Sequence, residues 1–338
     1  MKKLIKRIIL VTLAAIVVIG AILGVTLSRS DKSVTSAVIR SEQSSDDDTD
    51  VPETVNILLM GLDSEAGLCD VIMLVGIDRA RGRTTVAHIP RDTYAAYSDA
   101  DYKKLNGAYS SLGGAEQTAA FLGDAFDIKI QHYACISLDT FADAVDAIGG
   151  VDVNVPQDMR YKDTEQGLYI DLKKGVTHLD GKTAQHFVRF RSGYSDGDLG
   201  RIDAQKLFLA AVFDKLSGGI SPAEAVKLAS VLDGVETNIG ISELLALSAA
   251  VLDMDTRNVS MLTLPGKEAT ATQSGASYYV ISRDATAELA KDFFGGGGHF
   301  DGQGVFLNKR YSHFEQIYTE NTEYSVTPVE DIIRNAMG

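Results

Sequence analysis

Residues 8–27 carry no charged side chain, and this run limits what everything after it can be. A helix of that length spans about 30 Å, the hydrocarbon thickness of a bilayer. The apolar region of a cleaved signal is shorter, about 7–15 residues. Residues 34–37 offer only a weak cleavage-like site, so the expected element is an uncleaved transmembrane anchor. Lys2, Lys3, Lys6 and Arg7 precede it, which predicts a cytoplasmic tail of residues 1–7 and an extracellular remainder, in a cell-membrane protein that crosses once. All 46 acidic residues follow the anchor, in a chain of net charge −14. A surface of that sign repels nucleic acid, whose binding rests on neutralising phosphates. The tail is too short for a DNA-binding or signalling domain, so the partner it implies is the membrane.

Residues 28–54 are polar, rich in Ser and Asp and without apolar period, which predicts a flexible linker. A regular pattern follows. Apolar, β-branched runs predict strands over 55–62, 71–78, 84–90, 130–137, 151–155, 259–264 and 278–281. Helical spacing appears over 113–126, 140–148, 180–188, 199–216, 222–232, 242–252 and 285–294. Strands mixed with helices in this way predict the α/β class, an α-β-α layered domain with a central mixed sheet over 55–294. Residues 161–167 read as a polar loop. The glycine run 295–298 reads as a flexible connector into a C-terminal segment, 295–338, that ends in a helix over 328–337 and has no evident role. Cys69 and Cys135 are the only cysteines, and they read either as a disulfide or as two buried thiols in adjacent strands.

If the first three strands form a meander, the end of the first, the start of the second and the end of the third meet at one rim. Asp63, Asp70 and Arg91 occupy those positions. Two aspartates there suit Mg²⁺, which takes a few carboxylates plus water and phosphate oxygens; equally, Asp beside Gly is a common turn former. Arg91 and Asp92 read by themselves as a surface ion pair. Arg83, in the turn at the opposite end, reads as a lone exposed charge.

The stretch VRFRSGYSDGDLGR, residues 188–201, places Arg189, Arg191 and Arg201 close together in an acidic chain. If residues 189–191 are extended, both arginines share a face and Phe190 points away. Arginine suits bidentate phosphate contacts, and Arg201 opens a helical pattern whose free N–H groups also favour anions. A solvated charged loop is the alternative. The histidines are scattered without HExxH or Cys/His ligand spacing, and no GxSxG elbow is present. Acid, arginine and metal remain, the means of phosphoryl transfer.

The motifs NILLMGLDS, CDVIMLVGID, VAHIPRDTY, KLNGAYSSLGGAEQT, IGGVDVNVP, LDGKTAQHFVRFR and GDLGRIDAQ stand in this order between residues 56 and 205. In that order, behind an anchor, the chain resembles the LytR-CpsA-Psr proteins from about residue 55 to 216. The resemblance implies an α-β-α fold that binds polyprenyl-pyrophosphate lipids and transfers the attached glycopolymer, teichoic acid or capsular polysaccharide, to peptidoglycan with Mg²⁺. By motif, it makes Asp63 and Asp70 the metal ligands and sets Arg91, Arg189, Arg191 and Arg201 on the pyrophosphate. It adds Lys104 and Gln205 to that anion site and makes Asp92 the carboxylate that orients Arg91. Arg91, Asp92 and Asp198 become the catalytic set, with the acceptor's proton going to Asp196 or Asp198.

Two positions depart from the family pattern. Leu68 stands where an arginine often precedes the metal aspartate, and Ala204 stands where a cation often precedes Gln205. Two other functions stay open: a lipid-pyrophosphate phosphatase with water as acceptor, which the same residues would serve, and a non-catalytic lipid-glycan carrier or regulator, favoured because fewer cations weaken a phosphate grip.

Overall fold

The computed structural model describes residues 53–63, 66–97, 104–164, 168–194, 197–217, 219, 221–240, 243, 247, 256–272, 274–302, 304–307, 313–320 and 322–337. The expected anchor, nearly all of the expected linker and most of the expected helix at 242–252 lie outside them. Among the described residues no helix is long and apolar enough to cross a membrane.

The strands are β1 (Thr54–Asp63), β2 (Leu68–Asp78), β3 (Arg83–His88), β4 (His132–Ser137), β5 (Val151–Val155), β6 (Met159–Asp163), β7 (Leu168–Leu172), β8 (Gly175–Leu179), β9 (Val235–Thr237), β10 (Val259–Thr263), β11 (Gly266–Thr270), β12 (Ser277–Ile281) and β13 (Thr327–Pro328). The longer helices are α1 (Ala115–Phe126), α2 (Leu138–Ala147), α3 (Gly181–Arg189), α4 (Asp198–Ser217), α5 (Pro222–Val231), α6 (Arg283–Phe294) and α7 (Val329–Met337). A central sheet runs in the order β13-β10-β3-β2-β1-β4-β9. It is mixed: β4 lies parallel to β1 and β10 parallel to β3, while β1, β2 and β3 form the antiparallel meander.

β1 and β2 are buried almost throughout because alternate residues enter two cores. Ile57, Leu59, Met73 and Val75 face one core with Phe141, Phe187, Phe208 and Val329 from α2, α3, α4 and α7. Leu58, Met60, Ile72 and Leu74 face the other with Leu122 of α1, Leu289 of α6 and Val280 of β12. A strand covered on both faces must be apolar at every position, and helices must lie on each side. The result is an α-β-α sandwich. Local signals start the helices at the right places. Ser137 and Asp180 accept from the Thr140 and Thr183 amides, and Ser221 with Glu224 forms a capping box before Pro222.

Three regions differ from the sequence expectation. Residues 159–163 and 168–172 pair as the hairpin β6–β7, so 161–163, expected in the polar loop over 161–167, are strand, while 165–167 lie outside the described residues. Leu168, Ile170 and Leu172 point inward while Tyr169 and Asp171 meet solvent, and that wet outer face disguises the strands. The glycine run is tied down rather than loose: Gly295 caps α6 in the left-handed region at φ 69°, and the Gly296 and Gly297 amides donate to Ala290 and Asp127 carbonyls. Beyond it Phe300, Phe306, Phe314 and Tyr318 are buried in the second core, β13 joins the sheet edge, and α7 packs on α4. Cys69 and Cys135 are both buried free thiols, on strands that flank β1 rather than neighbour each other. A hydrogen bond with Cys135, then burial, pushes the Cys69 thiol well above its usual range.

Arg83 is not a lone charge. Its Nε lies 3.2 Å from Asp78 Oδ2 and its guanidinium lies 4.8 Å above the Phe293 ring. Asp78 also accepts from the Arg81 amide and Nη1, both at 2.9 Å. Burial raises the Asp78 pKa, but the arginine bonds outweigh it and hold the carboxyl below its ordinary 3.8. A depressed pKa contributes stability that is complete above the unfolded value and is lost as pH falls through the folded one. Asp78→Asn is therefore expected to cost about 1.5–3 kcal/mol at neutral pH. Urea unfolding of parent and variant at pH values from 7 down to about 3 should show that difference shrinking below about pH 4.

Candidate active site

The rim of the meander carries a feature invisible in the sequence. β1 and β2 pair in step from Thr54–Asp78 to Gly61–Val71, and then Leu62 pairs with Cys69, so Asp70 is the extra residue of a β-bulge. Bulges bend a strand and re-aim a side chain. Asp70 is buried here beside the rim end of β1, where Asp63 is also buried and accepts from the Ala66 amide at 3.1 Å. Arg91, just past β3, places Nη1 at 2.5 Å from Asp70 Oδ1. Asp70 and Arg91 are thus in direct contact, and Asp63 is buried at the same rim.

The segment after β3 supplies a second layer. Leu105 and Asn106 amides donate to the Thr93 and Arg91 carbonyls, which lays Lys104 alongside. Lys104 Nζ is 3.1 Å from Asp92 Oδ1, whereas Asp92 stands 3.9 Å from Arg91 Nε. Asp92 is therefore nearer Lys104, and Asp70 is the closer anchor of Arg91.

The arginine-rich stretch is a folded turn, not an extended strand. Arg189 is the last residue of α3, and Phe190 leaves the helix in an extended conformation, carrying Arg191 beyond the cap. The Tyr194 ring meets Phe190 edge-on at 5.6 Å and covers Gly200, where a Cβ would lie 2.6 Å from Tyr194 Cβ. Only glycine admits that contact. Gly197 turns the chain at φ 57° into α4, whose first residue is Asp198. Asp196 lies outside the described residues.

α4 then presents Asp198, Arg201 and Gln205 within two turns. Arg201 is 1% exposed, with Nη2 at 2.9 Å from Asp198 Oδ1 and 3.4 Å from the Asp70 carbonyl. Asp198 Oδ1 is also 3.6 Å from Arg91 Nε. Gln205 donates to the Val188 carbonyl at 3.4 Å, so it holds the end of α3 next to Arg189. Burial, then neighbouring Arg201, pushes Arg191 down to about 10 against the pull of Asp198. Burial likewise lowers Arg189 and Arg201, partly offset by Asp70 and Asp63 for the first and chiefly by Asp198 for the second. Arg91 is also buried, but Asp70, Asp198 and Asp92 more than compensate and raise it.

Arg91 Nε, Arg189 Nε and Arg201 Nε and Nη1 are buried donors with no acceptor among the described residues. Such groups carry a desolvation cost of about 1–3 kcal/mol each, which an ordered water or a bound anion relieves. Asp63 and Asp70 are two buried carboxylates on adjacent strands, and hard oxygen donors of that type suit Mg²⁺. The two departures from the family pattern have distinct surroundings. Leu68 pairs opposite Asp63, and Ala204 is buried in the first core. Tyr194 and Gly200 were missed in the sequence, where a contact across a turn leaves no periodic signal.

The LytR_cpsA_psr family model matches residues 22–294. Polyisoprenyl-teichoic acid–peptidoglycan teichoic acid transferase TagV of Bacillus subtilis is 31% identical over 284 residues, covering 79% of this chain and 72% of TagV. The transferase TagU of Oceanobacillus iheyensis, of the same description, is 28% identical over 252 residues, covering 72% of this chain and 76% of TagU. The crystal structure of B. subtilis TagV superposes with a TM-score of 0.60 at 28% identity, over 71% of this chain and 96% of that one.

If the buried guanidiniums form an anion site, Arg191→Lys should weaken binding of inorganic pyrophosphate about ten- to a hundredfold, because lysine keeps charge but loses the planar fork. Arg160, exposed on β6, is the control, and Arg160→Ala should leave affinity unchanged. Calorimetric titration of the three proteins decides it, and parental affinity in Arg191→Lys removes the two-pronged contact.

Proposed function

Because this chain belongs to the LytR-CpsA-Psr family, we propose that it transfers a glycopolymer from a polyprenyl-pyrophosphate carrier to peptidoglycan at the outer face of the cell membrane. The transferases TagV and TagU support the reaction class. One observation carries the reading to this site: buried guanidinium donors without acceptors converge beside two buried carboxylates. That is a site for a multiply charged anion bound close to a cation.

Each group then has a task. Arg91, Arg189, Arg191, Arg201 and Lys104 bind the pyrophosphate oxygens, with Arg91 held in place by Asp70 and Lys104 by Asp92. Asp63 and Asp70 hold Mg²⁺, which when bound offsets pyrophosphate charge. The acceptor sugar's hydroxyl oxygen forms a bond to the phosphorus that carries the glycopolymer. The bond from that phosphorus to the bridging oxygen breaks, and its electron pair departs with polyprenyl phosphate. The hydroxyl proton passes to Asp198, whose contacts with Arg201 and Arg91 keep it among the phosphate-binding groups. Preorganised arginine donors stabilise the charge that develops on the phosphate oxygens. Glycopolymer and peptidoglycan end up joined by a phosphodiester. The anchor expected over residues 8–27 would keep the site at the membrane surface, where the lipid carrier lies.

The full chain, given a lipid-pyrophosphate glycan, peptidoglycan and Mg²⁺, should yield polyprenyl phosphate and glycan-linked peptidoglycan in equal amounts. Lipid phosphate without linked glycan identifies a phosphatase instead. Asp63→Ala and Asp70→Ala should each abolish metal-dependent turnover with the thermal transition retained, and full activity in both removes the metal site. Asp198→Asn should lower kcat about 10²–10⁴-fold while donor KM stays within a few-fold. An unchanged kcat excludes Asp198 as the proton acceptor.

A further inference from the structure

α4 separates two environments. Arg201 and Gln205, one turn apart, face the anion site, whereas Asp203, Lys206 and Leu207 lie on the opposite side at 100° per residue. That opposite side is not packed flat against its neighbours. A cavity of about 640 Å³ lies between it, β5 and α7, and a smaller one of about 220 Å³ lies between it and the β10–β11 turn. Asp203, Lys206 and Ser325 line both, so the two form the lobes of one cleft. The larger falls within the roughly 300–1,000 Å³ of small-molecule sites. Its outer wall belongs to residues 322–336, the C-terminal segment beyond the residues that match the family model.

Two backbone links join the cleft wall to the site. Leu199, which lines the smaller lobe, follows Asp198 directly. Tyr279, which also lines it, donates its amide to the Asp92 carbonyl at 2.8 Å. Both links lie on the carboxylate side of the site. The lining mixes apolar and polar groups without a surplus of either charge: Lys174 and Lys206 are set against Asp203 and Glu323, and Lys206 Nζ is 3.1 Å from Asp203 Oδ1. A polyanion is best held where buried arginine donors are spare, as they are on the other side of α4. A neutral ligand rich in hydroxyl and amide groups suits a balanced lining that adds Ser325, Asn335 and the half-buried ring of Tyr324.

We propose that this cleft binds the acceptor, an uncharged N-acetylated sugar chain, and leads its reacting hydroxyl past Leu199 to Asp198. The proposal rests on the transfer reaction above, and it assigns the C-terminal segment the role of acceptor wall. Ser325 is exposed where the lobes meet, so Ser325→Trp obstructs the cleft without entering either core. Asn335→Ala removes one exposed hydrogen-bonding group from the larger lobe.

Chitotetraose is the probe, titrated into the full chain by calorimetry, with inorganic pyrophosphate titrated separately and thermal melting as the check on folding. Ser325→Trp should weaken chitotetraose binding by about tenfold or more, and Asn335→Ala by about fivefold, the worth of one net hydrogen bond. Pyrophosphate affinity and melting should match the parent. In the transfer assay the acceptor KM should rise by the same factors while donor KM holds. Parental chitotetraose affinity in Ser325→Trp, no binding by the parent at millimolar concentration, or a rise confined to donor KM overturns the proposal. Ser325→Trp-sensitive binding in a chain that performs no transfer leaves the cleft standing and sinks the transfer reaction; transfer unaffected by Ser325→Trp does the reverse.

Discussion

The pair formed by Arg91 and Asp70 holds the site together, with 2.5 Å between Nη1 and Oδ1 and side chains 6% and 0% exposed. Burying two charges costs several kcal/mol of desolvation per ion, which their attraction offsets only when geometry is good, so such a pair is a weak source of stability. Removing one partner is a different matter, at about 3–5 kcal/mol, because the other charge is left uncompensated. The pair's contribution is therefore positional. It fastens the loop after β3 to the bulge of β2, and the other contacts branch from there: Asp198 reaches Arg91 and Arg201, and Arg201 in turn reaches the Asp70 carbonyl.

The site reconciles local and global charge. The chain carries a net charge of −14, which disfavours long-range attraction of any anion. Within the pocket, Arg91, Arg189, Arg191, Arg201 and Lys104 face the four carboxylates Asp63, Asp70, Asp92 and Asp198, a nearly balanced set whose spare hydrogen-bond donors are all on arginine. Binding there depends on short contacts in a desolvated space rather than on the field of the whole protein.

The C-terminal segment belongs to the same architecture. β13 pairs with β10 at the sheet edge, Phe306 and Phe314 enter the second core, and α7 lies on α4. This arrangement positions α4 from both sides. One face is set by Arg201's contact with Asp70 and by α3, the other by α7 and β5, and the helix that begins with Asp198 is also one wall of the neighbouring cleft.

The sequence by itself determined the sandwich and the order of its charged motifs. Strands that are apolar at every position require cover on both faces, and the meander puts Asp63, Asp70 and Arg91 at one rim whatever surrounds it. It also set the start of α4 and the glycines on which the turn before it depends. The bulge at Asp70, the closure of Tyr194 over Gly200, the hairpin β6–β7 and the incorporation of the described residues beyond 295 were decided by tertiary structure. Each rests on contacts between residues whose local patterns are silent or misleading. A one-residue register slip has no period, a glycine run looks loose until distant carbonyls accept its amides, and short strands with a solvated face look like loop.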